Sequence, residues 1–235
     1  MLSISIRRAR TALIALVLTS CASALPWHDE PIGNETNLAF RVEKNLLYLL
    51  NTSIDGRPGR YIFGSASVRS VLDPRIAGTD TSHRVFLGSK NSVAIRPAII
   101  DLRGVADGIV GADSAGGNAI TIDYRSQLVT VQKEGIHPEL MTLYSYTAEP
   151  SVNVNVDGAD LSAVVDTALP DTIVLPRAKP SRGTAHVILA GIDFGTIDVQ
   201  YANVSRPRIG NRLLSRFLVS IDYGKRVVGL WYDTR

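Results

Sequence analysis

Asp166-Thr167-Ala168-Leu169-Pro170-Asp171-Thr172-Ile173-Val174-Leu175 is the stretch on which the reading of this chain turns. It aligns without a gap with Phe63-Gly64-Ser65-Ala66-Ser67-Val68-Arg69-Ser70-Val71-Leu72, 103 positions earlier. Gly111 and Ile122-Asp123-Tyr124 recur as Gly210 and Ile221-Asp222-Tyr223, each 99 positions on. Elements repeated in the same order are the mark of two related units. In this alignment Phe63 stands against Asp166, so one unit keeps a carboxylate where the other has an aromatic ring.

The segments around both stretches are short apolar runs split by turn residues, which predicts strands. Leu46 to Leu50, Tyr61 to Phe63, Val85 to Leu87, Val93 to Ile95, Ile120 to Tyr124 and Leu128 to Val131 form the first set. In the second, Val152, Val154 and Val156 alternate with Asn153 and Asn155, and Ser162 to Val165 leads into Asp166. Val187 to Leu189, Ile197 to Tyr201, Phe217 to Tyr223 and Val227 to Trp231 follow. Asp157-Gly158 and Asp55-Gly56 read as matched hairpin turns, because both residue types accept positive φ. Asn211 to Phe217 is the best candidate for a short helix. The expected division is a signal over 1–20, a tether over 21–45, lobes over 46–133 and 151–235, and a linker over 134–150 with a helical turn near Pro138 to Leu143.

Arg7, Arg8 and Arg10 followed by the apolar run from Ala12 to Leu18 make the n-region and h-region of a secretory signal. Leu18-Thr19-Ser20-Cys21 resembles a bacterial lipobox, which implies lipidation of Cys21 and a periplasmic, lipid-anchored protein. An ordinary signal cut after Ala24, behind Ala22-Ser23-Ala24, is the alternative. Cys21 is the one cysteine in the chain, so no intramolecular disulfide forms. The formal charge of +3 comes from the signal: setting its three arginines aside, the 25 basic residues become 22, against 22 acidic ones. A chain so balanced, without a basic stripe, gives no reason to expect a nucleic-acid partner. His28, His83, His137 and His186 stand singly, so neither a metal nor another cofactor is expected.

A hairpin with Asp-Gly at its turn, a strand ending in Asp166-Thr167, a small-residue loop, an apolar run, then Ile209-Gly210 and Phe217-x-x-x-Ile221-Asp222-Tyr223 together resemble the retropepsin and pepsin-like aspartic proteases. The resemblance covers roughly 46–232. It implies an all-β fold of two lobes about a pseudo-twofold axis, with one Asp-Thr-Gly loop from each lobe meeting beneath a substrate cleft. Ile109-Val110-Gly111 and Arg208-Ile209-Gly210 match the element that supports each loop. Family chemistry needs two adjacent carboxylates sharing a proton, one acting as base toward water and the other as acid toward the scissile carbonyl.

By that alignment the first loop has lost its acid to Phe63, Gly64 stands for the threonine that bonds across the axis, and Ser65 stands for the glycine. The second keeps Asp166 and Thr167, with Ala168 at the glycine position. Asp166 is then either a surviving catalytic carboxylate or a cap that accepts backbone N–H groups, and the lost partner favours the cap. The function expected is a non-catalytic pseudoprotease binding an extended peptide or protein segment in the cleft. The alternative is an active aspartic endopeptidase using Asp166 with a second acid that the motif does not identify. Asp171 lies past the loop, and Asp123 and Asp222 read as strand-end residues. Asp113-Ser114-Ala115-Gly116-Gly117 is similar to a serine-nucleophile loop but falls in an inter-strand turn.

Overall fold

Parallel pairing of strands far apart in sequence organises each half of this chain. The computed structural model describes residues 35–88, 91–133 and 139–232. The first half runs through β1 (Thr36–Glu43), β2 (Leu46–Leu49), β3 (Thr52–Ile54), β4 (Arg57–Pro58), β5 (Tyr61–Phe63), β6 (Val71–Leu72), the helical turn α1 (Pro74–Ala77), β7 (His83–Leu87), β8 (Asn91–Ile95), β9 (Ala98–Ile99), β10 (Gly108–Val110), β11 (Ala119–Asp123) and β12 (Leu128–Gln132). The second continues with β13 (Thr142–Ser145), β14 (Ser151–Val156), β15 (Ala159–Val165), β16 (Ile173–Pro176), β17 (Ser181–Leu189), β18 (Ile192–Ala202), β19 (Arg208–Ile209), α2 (Asn211–Leu214), β20 (Phe217–Asp222) and β21 (Val227–Tyr232). The fold is all-β, as the sequence predicts.

Each half threads one strand between two others. In the first, β10 runs parallel to β5 and antiparallel to β6. In the second, β19 runs parallel to β15 and antiparallel to β16. A parallel pair needs a long crossover, and here each crossover carries a hairpin, β7–β8 or β17–β18. Both predicted turns have positive φ at both residues, Asp55 at 51° and Gly56 at 76°, Asp157 at 51° and Gly158 at 85°. The carboxylates close the match: Asp55 Oδ1 accepts the Arg84 N–H at 2.7 Å and Asp157 Oδ1 accepts the His186 N–H at 2.8 Å.

The halves are joined by one antiparallel run, β13-β21-β20-β11-β12-β1. At its centre Thr121 pairs with Ser220, 99 positions apart, and their hydroxyls lie 3.0 Å from each other. Residues one repeat apart facing each other put a local twofold relation at that point. Beyond it, the second half closes into a barrel of β14-β15-β19-β16-β18-β17, while the first spreads into β2-β5-β10-β6-β9 and a separate sheet β4-β3-β7-β8. One apolar core fills both, with Tyr61, Phe40, Leu72, Ile120, Ile173 and Leu214 among its fully buried side chains.

Two expectations are corrected. The end of the segment read as a tether over 21–45 is β1, whose Leu38 and Phe40 are buried in that core. Within the segment read as a linker, residues 142–145 form a strand rather than part of a helical turn. β1 and β13 are the outer strands of the joining run. β13 has a strand partner on one side only, and β1 pairs with β12 along Thr36–Ala39 and with β2 along Phe40–Glu43, so the alternation that announces a strand is weak in both. The Cys21 and lipobox reading and the rest of the signal lie outside the described residues. Among the described residues no helix is long and apolar enough to cross a membrane.

Candidate functional site

The two loops meet where β5 and β15 end. Gly64 N–H donates to Val110 O at 3.0 Å, and Asp166 N–H donates to Ile209 O at 2.9 Å. Each loop then turns back on itself, Ser67 N–H to Gly64 O at 3.1 Å and Leu169 N–H to Asp166 O at 3.2 Å. These matched bonds make Gly64 the counterpart of Asp166, Ser65 that of Thr167, and Ala66 that of Ala168. Contacts between the loops obey the same pairing. Ser65 Oγ donates to Val165 O at 2.6 Å and Thr167 Oγ1 to Phe63 O at 2.8 Å. Each hydroxyl also accepts the other residue's N–H, at 2.9 and 3.1 Å.

The ungapped alignment is therefore one residue out inside the loop. It holds for the following strand, where Val71 and Val174 occupy matching places against β10 and β19. Between turn and strand the second loop has one more residue, Pro170 to Ile173 against Val68 to Ser70. Phe63 is thus not at the acid's position; its counterpart is Val165, and both pack in the core, at 2% and 0% exposure. The acid's counterpart is Gly64. Ser65 occupies the place of the threonine, not of the glycine, and makes the cross-loop bonds with its own hydroxyl. The spacing was present in the sequence: nine residues separate each Asp-Gly turn from its loop, Asp55 to Gly64 and Asp157 to Asp166.

Asp166 is 9% exposed and its carboxylate is committed. Oδ1 accepts the Ala168 N–H at 3.0 Å, and Oδ2 accepts Arg208 Nη1 at 2.7 Å. Arg208 reaches toward Glu149, with Nη2 to Oε1 at 3.8 Å, and Glu149 Oε2 lies 3.5 Å from Arg206 Nη1. In the first half the counterpart of Arg208 is Ile109. A Cβ added at Gly64 would lie 2.5 Å from Ile109 Cγ2, so the first loop has no free space for a side chain there. Ile109 and Arg208 open the two matched Gly-containing elements, and their mismatch there was a readable signal in the sequence.

Asn211, 2% exposed, fastens the second loop to the first half. Its amide donates to Thr167 O at 2.6 Å and to Asn45 O at 2.8 Å, while its Oδ1 accepts the Tyr124 hydroxyl at 2.6 Å. The Tyr223 hydroxyl donates to Ser65 O at 3.1 Å. Burial raises the pKa of both phenols well above the usual tyrosine value, so they act as neutral donors.

The remaining candidates are placed elsewhere. Asp171 accepts from Gln200 Nε2 and makes no bond with Asp166. Asp123 takes the N–H groups of Arg125 and Ser126, and Asp222 that of Lys225. Ser114 donates to Gly111 O at 2.6 Å, while its neighbour Asp113 accepts from Ser70. Among the described residues no group of three or more His, Cys, Asp or Glu is placed to hold a metal.

No family model matches the chain, and no curated protein matches it. The class the geometry defines is an internally repeated all-β protein in which two loops exchange hydroxyl-to-carbonyl bonds and one of the loops presents a carboxylate.

Proposed function

We propose that this chain is a pseudoprotease on an aspartic-protease-like scaffold, secreted and lipid-anchored through Cys21, whose cleft holds an extended peptide or protein segment without cutting it. The observation that carries the reading is the pair of exchanges at the meeting of the loops: Gly64 stands opposite Asp166, and Arg208 bonds its carboxylate. Acid–base hydrolysis by this class needs two carboxylates within a few ångströms that share one proton. Asp166 instead shares its charge with a guanidinium. Glu149, the next acid along the network, meets Arg208 and Arg206 rather than Asp166. A groove shaped for strand addition keeps its backbone donors and acceptors when the acids go, so binding survives the loss of chemistry.

The test is cleavage of an unfolded protein substrate between pH 3 and 7 by the wild type and by Asp166→Ala. No cleavage is expected from either. Cleavage abolished by the substitution would establish an aspartic endopeptidase with a second acid and end the pseudoprotease reading.

A further inference from the structure

Arg208 occupies the place that isoleucine holds in the other half, and its guanidinium is only partly used. It has five N–H donors in a planar fork. One of them, on Nη1, reaches Asp166. Glu149 at 3.8 Å from Nη2 is beyond hydrogen-bond length. The side chain is 31% exposed, while Asp166 beneath it is 12% exposed. A cation held by a largely buried carboxylate, itself part-exposed and with donors beyond that one bond, can take an acceptor of opposite charge.

We propose that Arg208 is a carboxylate-binding residue, so that the segment held in the cleft carries an acidic side chain or a free C-terminal carboxylate at the level of the two loops. The inference rests on the cleft reading given above. Asp166 fixes the guanidinium and remains in place; Glu149 is the competitor. An incoming carboxylate takes Arg208 by displacing the Glu149 contact, which at 3.8 Å is the longer of its two ion pairs. Arg206 Nη2, which bonds Ser162 Oγ at 3.3 Å, leaves Nη1 to keep hold of Glu149 as it swings away.

The experiment is NMR titration of the Arg208 Nε–H signal in the described domain as part of the full mature chain. Three probes are used: a blocked pentapeptide with central glutamate, its glutamine analogue, and a dipeptide ending in a free carboxylate. The glutamate peptide or the free-acid dipeptide should shift the Arg208 signal, whichever does so naming the source of the carboxylate, and the glutamine analogue should not. Arg208→Ile, carrying the residue of the other half, should abolish the response. Glu149→Gln, which removes the competitor and leaves the loops untouched, should tighten binding about threefold, the size of one partly exposed charge interaction. Equal binding of the glutamate and glutamine peptides together with no Arg208 response to the free-acid dipeptide, or Glu149→Gln weakening binding, would overturn the inference while leaving the cleft reading standing. Cleavage of the peptides, or no response of any loop residue to any probe, would sink both.

Discussion

Thr167 holds one hydroxyl between two backbone groups of the opposite loop, donating to Phe63 O and accepting from Ser65 N–H, with no exposure to water. Thr167→Val keeps the shape and strands both groups, so it should cost about 1–3 kcal/mol, read as a lower urea midpoint. Combined with Ser65→Ala the loss should fall short of the sum by more than about 0.5 kcal/mol, because the two hydroxyls serve one network. At Gly64 the constraint is volume rather than bonding. Gly64→Asp should destabilise by about 1–3 kcal/mol through contact with Ile109 Cγ2, and Ile109→Ala in the same chain should recover part of it. Full stability of Gly64→Asp alone would mean that the loop has room for an acid and that its absence is not enforced by packing.

At the scale of elements, the threaded strands β10 and β19 each end in a glycine pressed on the loop below. A Cβ at Gly111 would lie 2.6 Å from Ser67 O, and one at Gly210 would lie 2.5 Å from Asp171 O and Leu169 O. These are backbone atoms that cannot rotate away. Gly210→Ala should therefore cost at the upper end of about 1–3 kcal/mol and disturb the amide signals of residues 166–171 in an NMR spectrum. The strands β5 and β20 and the end of β15, Ala163 to Val165, were readable because burial forces apolar residues into them. β13 was not, because an edge strand tolerates polar residues on its outer side and shows a diluted pattern, and neither was β1, which changes partner from β12 to β2 at its middle and buries only Leu38 and Phe40. The hairpin turns were legible from two residues each, since Asp-Gly is among the few pairs that accept positive φ twice without strain.

For the whole molecule, shifted carboxyls and phenols make stability depend on pH at its acid and alkaline ends. Burial alone would raise the Asp55 carboxyl, yet the Arg84 N–H and the His83 ring bring it below the usual value. The Arg75 guanidinium and backbone N–H hold Asp73 down at about 2. Folded values below the unfolded one mean that the unfolded chain binds more protons in acid, so stability is present above about pH 4 and is lost as pH falls toward 2. Burial, with the Asp222 charge, pushes the Tyr146 phenol up to about 12, and Tyr124 and Tyr223 move in the same direction. Their contribution is present below about pH 10 and is lost as pH rises beyond it. Urea midpoints should thus fall as pH drops below about 4 and as it rises beyond about 10, and Asp73→Asn should flatten the acid limb. An unchanged acid limb in that variant would remove Asp73 from the account.

The sequence by itself determined the all-β class, the repetition, the matched Asp-Gly turns and the presence of a carboxylate at Asp166, since each of these is written in local residue types and their spacing. Only the tertiary structure decided which residue of the first loop is the counterpart of Asp166. One additional residue in the second loop puts Val71 and Val174 103 positions apart, while Gly64 and Asp166, before it, are 102 apart. Hydrogen bonds, which pair atoms rather than letters, assign Gly64 to the empty place and return Phe63 to the core. Arg208 became visible as Asp166's partner for the same reason: its 42-residue separation from Asp166 is closed by the parallel pairing of β15 with β19, a contact that no periodicity along the chain encodes.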